Sequence, residues 1–116
     1  MPVWTLEYVE AAEHDFALIF DHLLSAYLDL GDTLDDALDR AAERLRDLRR
    51  QIDRLVETPH IGTLRPDIYP GIRFLRRDKA AIWFLPVEDR STIVVAAVFY
   101  GAQDHIRHML ARMLTA

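Results

Sequence analysis

The sequence contains no cysteine, which rules out disulfides and thiolate metal sites. No apolar run approaches the roughly 18 residues needed to cross a bilayer. The opening Met1-Pro2-Val3-Trp4-Thr5 has neither the basic nor the apolar region of a secretory leader. A cytosolic protein with no membrane association is therefore expected. Glycine is scarce at four residues, with Gly62 and Gly71 far apart, so no phosphate-cradling loop or nucleophile elbow can be written. No paired-carboxylate site is evident, and neither a cofactor nor a metal is expected. His105 and His108 stand three apart near the C-terminus, but two imidazoles without a third ligand make a weak metal signal. His14, His22 and His60 are scattered. Repeats, low-complexity segments and interdomain linkers are missing as well.

What is present describes one soluble domain spanning residues 1–116, with 51% hydrophobic and 28% charged residues. The net charge of −5 is unevenly spread. Residues 1–58 hold 14 acidic side chains against 6 arginines, a balance of −8. Residues 59–116 hold 5 against 8 basic ones, a balance of +3. A general nucleic-acid binder is normally basic overall, because phosphate contacts supply most of its affinity. Direct DNA binding is accordingly not expected, although a local basic patch on the second half is compatible with these numbers.

Residues 59–104 carry the strand signals. Ile72 and Phe74 alternate with Arg73 and Leu75, Ala80 to Val87 carries Ile82, Trp83, Phe84 and Leu85, and Thr92 to Tyr100 is nearly all β-branched or aromatic. That last run predicts a strand buried on both faces. Links as short as Asp78-Lys79 and Glu88-Asp89-Arg90-Ser91 allow only an antiparallel meander. Val3 to Val9 predicts a further short strand, able to pair at either edge of the sheet. Residues 59–70 are expected to be a loop.

Helical periodicity fills the rest. Phe16, Phe20, Leu23, Tyr27 and Leu30 form a stripe from Glu10 to Leu30, and Gly31 is placed to end that helix. Asp32 or Thr33 then caps a second helix with the seam Leu34, Leu38, Ala41, Leu45, Leu48, Ile52 and Leu55. Matching seams and a two- or three-residue link predict an intramolecular hairpin rather than an intermolecular zipper. A last helix, from Ala102 to Leu114, would turn Ile106, Met109, Leu110 and Met113 inward. The expected class is α+β, in the order β-α-α-β-β-β-α. Trp83, Leu85 and Leu75 cannot all share the hairpin face with Ile82, Phe84 and Phe74, so apolar side chains must occupy the second face too.

Four segments carry a family resemblance. They are Pro59-His60-Ile61-Gly62, Gly71-Ile72-Arg73, Ile82-Trp83-Phe84, and the run from Val98 through Phe99, Tyr100, Gly101, Ala102 and Gln103 to Asp104. In that order and spacing the chain resembles the ParE side of the ParE/RelE toxin superfamily of bacterial toxin–antitoxin systems. Gln103 and Tyr100 stand where many relatives carry arginine and histidine. The resemblance implies a RelE/ParE-like fold and a cognate, ParD-like antitoxin laid across an apolar groove and the sheet. It implies either inhibition of DNA gyrase, as in ParE-type members, or cutting of ribosome-bound messenger RNA, as in RelE-type members. A non-toxic relative that only binds an antitoxin is a third possibility.

RNA cleavage would need groups that activate the 2′-hydroxyl, stabilise the phosphorane and protonate the leaving oxygen. Arg73, Arg76, Lys79 and Tyr100 are the candidates. Arg76-Arg77-Asp78-Lys79 reads either as a solvated turn guarding the sheet or as an anion- or target-binding cluster. Arg73 reads as a functional surface residue or as an ion-pair partner of the acidic hairpin. Tyr100 reads as a partly buried strand end or as an acid–base group. Trp4 and Trp83 read as core or groove lining, Trp83 being the better placed to meet a partner. Target or antitoxin contacts are expected at Arg73, Arg76, Arg77, Trp83, Leu85, Gln103 and Asp104. Binding, not hydrolysis, is the preferred reading, because the chain is acidic and no convincing acid–base set stands at the strand ends.

Overall fold

The computed structural model describes residues 3–101 and 104–115. The chain runs β1 (Thr5–Tyr8), α1 (Glu10–Asp29), α2 (Leu34–Asp53), a 3-10 turn at Arg54–Glu57, β2 (Thr63–Leu64), β3 (Arg73–Arg77), β4 (Ala80–Val87), β5 (Thr92–Tyr100) and α3 (His105–Thr115). The five strands form one sheet in the order β1-β5-β4-β3-β2. β3, β4 and β5 make the expected antiparallel meander. β1 pairs with β5, and parallel to it, which the local pattern had left open. The intervening helices make this possible, since parallel neighbours need a long crossover. The segment expected to be all loop contributes the two-residue β2, paired with β3 through Thr63 and Leu64.

The helical hairpin forms as its seams predict. Gly31 takes a positive φ of 100° between the helices, and the Thr33 hydroxyl accepts from the Asp36 N–H at 3.2 Å as the N-cap of α2. Phe16, Ile19 and Leu23 of α1 and Ala41, Leu48 and Ile52 of α2 cover Ile82, Phe84, Ile93, Val95 and Val98. The seams overrun the sheet, however. Leu30 and Leu34, both expected inside, are 76% and 57% exposed at the hairpin tip.

Opposite, α3 covers a second cluster of Ile72, Phe74, Trp83, Ala96, Ala97 and Phe99 with Ile106, Met109 and Met113. Leu110, expected inward, is exposed. Register decides how β3 is sorted. Phe74 lies opposite Trp83 and joins the α3 side, whereas Leu75 lies opposite Ile82 and joins the hairpin side. A β-bulge follows, because Trp83 faces Ala97 while Phe84 faces Val95, leaving Ala96 as the extra residue of β5. Both alanines then fall on the α3 face, and their small side chains let the helix approach.

Gly62 has φ 91°, and a Cβ there would run into the carbonyl oxygen of Phe74 on β3. Two penalties coincide, left-handed backbone and collision with a strand that cannot move freely. Gly62→Ala is expected to cost about 2 kcal/mol of stability in urea unfolding. A loss under about 0.5 kcal/mol would mean that this turn relaxes without cost.

Candidate functional site

The predicted residues do not gather at one place. Arg73 points to the hairpin side of β3, where its Nη1 donates to the His60 carbonyl at 2.8 Å. His60 in turn packs edge-on against Trp4 and pairs with Glu88. Arg73 thus pins the 59–62 loop to the sheet.

Arg76, Lys79 and Tyr100 come together elsewhere. They line an open groove of about 620 Å³ between the end of the meander and the overhanging hairpin, with His22 and Arg44. Arg44 was not anticipated from the sequence. Its pKa is raised chiefly by its hydrogen-bonding contact with the Tyr100 phenol. The His22 ring lies 5.9 Å from the Tyr100 ring. Arg77 is exposed, with Nη1 donating to the Arg76 carbonyl at 3.3 Å. Leu85 is half-buried beside Gly71. Asp104 accepts from the Arg107 N–H at 3.1 Å and so caps α3. Gln103 lies outside the described residues.

Of its two readings, core or partner contact, Trp83 takes the core one. It is 0% exposed and meets no solvent on either face of the sheet. Its Nε1 donates to His105 Nδ1 at 3.2 Å, and Phe74 packs against both rings at 4.9 and 4.7 Å. α3 therefore covers the apolar face on which a partner was expected to find Trp83. The interaction also fixes His105 as the acceptor tautomer, protonated on Nε2.

His105 is 8% exposed, and its pKa is lowered by burial first and by nearby Arg76 second. Arg65 acts in the same direction and Asp104 against it. Because the folded pKa is depressed, the neutral ring's contribution is complete above the unfolded value of about 6.5. It is lost as the pH falls below that value and through the folded pKa. Wild type should therefore lose more stability between pH 7.5 and pH 5 than His105→Gln does, measured by urea unfolding. Equal losses would show that the other histidines or the carboxylates govern the slope.

An unforeseen ion pair lies at the open edge of β5. Asp15 of α1 and Arg112 of α3 meet through two hydrogen bonds of 2.8 and 2.7 Å, with side chains 4% and 27% exposed. The Asp15 carboxylate also accepts from the Val98 N–H at 2.9 Å, and Arg112 donates to the Ala96 carbonyl at 3.3 Å. β1 ends its pairing at Val95, so these groups belong to the stretch of β5 that has β4 on one side and no strand on the other. The two side chains stand in for that strand and tie α1 to α3. The sequence did hold a signal: Asp15 sits on the stripe Ala12, Phe16, Ile19 and Leu23, where a carboxylate must find a partner. A groove of about 530 Å³ runs beside the pair, walled by Leu18, His22, Phe99 and His108. Among the described residues, no group of three His, Asp or Glu side chains could hold a metal ion. No described helix is long and apolar enough to cross a membrane.

No protein-family model matches the sequence, and no curated protein matches it. Solved structures do match. A chain of the chromosomal ParDE toxin–antitoxin system of P. aeruginosa superposes with a TM-score of 0.62 at 22% identity, covering 85% of this chain and 97% of its own. A mutant of the E. coli toxin RelE in the free state gives 0.60 at 10% identity, covering 96% and 97%. The E. coli RelBE toxin–antitoxin complex gives 0.55 at 12% identity, covering 86% and 98%. The resemblance read from the four sequence segments thus holds at the level of fold, and the chain has the α+β fold of the ParE and RelE toxins.

Proposed function

We propose that this chain is the toxin of a bacterial type II toxin–antitoxin system, held inactive by a cognate antitoxin and acting by binding DNA gyrase. The observation that carries binding over hydrolysis is the division of the candidate catalytic set. Arg73 is committed to the His60 carbonyl on the hairpin side, while Arg76, Lys79 and Tyr100 line a separate groove. Phosphoryl transfer needs its cationic and acid–base groups around one phosphate. The net charge of −5 also disfavours an RNA substrate. Support for the toxin reading comes from the fold shared with ParDE and RelBE components. For target contacts the reading draws on Arg76 and Arg77, both exposed, and on Asp104.

The test is gyrase supercoiling and DNA cleavage by purified gyrase, with and without the protein encoded beside this chain. Inhibition that the neighbour protein reverses is the expected result. Messenger-RNA cleavage on programmed ribosomes, without any effect on gyrase, would overturn it. The convergence of Arg76, Lys79 and Tyr100 favours that second reading, in which Lys79→Ala and Tyr100→Phe would abolish cleavage. Folded protein inactive in both assays and harmless on expression would leave only the antitoxin-binding relative.

A further inference from the structure

His105 is a buried titratable group whose hydrogen-bond partner can only donate. The Trp83 indole carries one N–H and no acceptor, and it reaches His105 Nδ1 at 3.2 Å in the interior. A neutral imidazole accepts that bond. An imidazolium carries a hydrogen on both nitrogens, so its Nδ1–H would face the indole N–H with no acceptor for either. Turning the ring over presents the other N–H and changes nothing. Phe74 packs on the ring at 4.7 Å, and His105 is buried away from water. The charged groups around it do not compensate. Arg76 of β3 and Arg65, between β2 and β3, oppose an added positive charge, and Asp104, which favours it, counts for less than Arg76. Arg65 is itself paired with Asp67 at 2.7 Å, and Arg107 and His108 of α3 are exposed.

We propose that this contact is a pH-sensitive latch: protonation of His105 unseats the first turns of α3 from the sheet while the hairpin and sheet stay folded. The division of the core makes the opening local. α3 packs on the second cluster through Ile106, Met109 and Met113, and none of its described residues joins the cluster under the hairpin. Unseating it leaves the larger core intact. At the far end of the helix Arg112 keeps its two bonds to Asp15, so α3 stays tethered to α1 as it opens. The closed form favours the neutral ring. The latch is therefore shut above pH of about 6.5 and opens as the pH falls below that value. What it uncovers is the face carrying Phe74, Trp83 and Ala97. The latch belongs to the α3 side alone and holds whatever the chain's target is.

Proton–nitrogen NMR of the full chain, titrated from neutral pH into mild acid, tests it. The Trp83 indole N–H and the amides of residues 105–110 are expected to shift and lose intensity together, with one midpoint below about 6.5. The amides of residues 16–23 and 41–52 should hold through the same range. His105→Gln keeps an acceptor for the indole and cannot be protonated, so its α3 signals should stay in place. Trp83→Phe removes the opposing donor and should raise the midpoint by about 0.7 pH unit, the equivalent of one neutral hydrogen bond. Three results would overturn the proposal. The α3 signals could stay fixed while the His105 ring protons titrate, or vanish together with those of the hairpin, which is global unfolding. The transition could also persist in His105→Gln or keep its midpoint in Trp83→Phe, which would assign it to another group.

Discussion

Arg112→Ala is expected to lower stability by about 3 to 5 kcal/mol, a drop of roughly 12 to 20 °C in the thermal midpoint. The substitution strands the Asp15 carboxylate, 4% exposed, with the Val98 N–H as its remaining partner. Asp15→Ala should cost less, about 2 kcal/mol. The charge it leaves behind sits on Arg112, whose side chain is 27% exposed and can reach water. What it does lose is the acceptor for a strand N–H, which is then left without its bond. The double variant should fall close to Asp15→Ala alone, because the costly state is the unpaired carboxylate. Urea unfolding of the three variants gives the cycle directly. Losses under about 1 kcal/mol for both single variants would show that water replaces the pair and that α3 is held by its apolar face alone.

Trp83→Ala is the second large effect, expected at about 3 to 5 kcal/mol. The indole fills the space between the sheet and α3, touching Phe74 and His105, with Met109 in the same cluster. Its removal opens a cavity that the strand cannot close, because Trp83 is paired on one side with Phe74 and on the other with Ala97. Trp83→Phe keeps most of the volume and removes only the N–H donor to His105, so about 1 kcal/mol should go. Circular dichroism is the right signal, since fluorescence would change with the residue itself. If Trp83→Ala left stability untouched, the α3 side would not be a packed core, and Trp83 would return as a candidate partner contact. Loss of stability with the fold retained would place any weakened partner binding downstream of α3.

The pattern of residues carried most of the fold. Apolar spacing at 3.5 in residues 34–55 and the β-branched run of 92–100 are local statements about which side chains need burial. Local chemistry is enough to settle helix against strand when the periodicity is sustained. The Gly31 turn and the meander were legible for the same reason, and the cap of α2 was narrowed to Asp32 or Thr33, of which the structure takes Thr33. Three of the four candidate catalytic residues, Arg76, Lys79 and Tyr100, do share a groove, and the fourth does not.

Tertiary structure decided the rest, because those features depend on which distant residues become neighbours. The bulge at Ala96 sets which β5 side chains face α3, and bulges arise from pairing rather than from composition. β1 fixes where the paired edge of β5 ends, and that end is where Asp15 and Arg112, distant in the chain, must meet. Trp83 looked like a surplus apolar residue only while the position of α3 was unknown. By itself the sequence determined how much apolar surface had to be covered and on which elements it lay. Which side chain received solvent, a helix or a partner was a matter of register, and register is a long-range property.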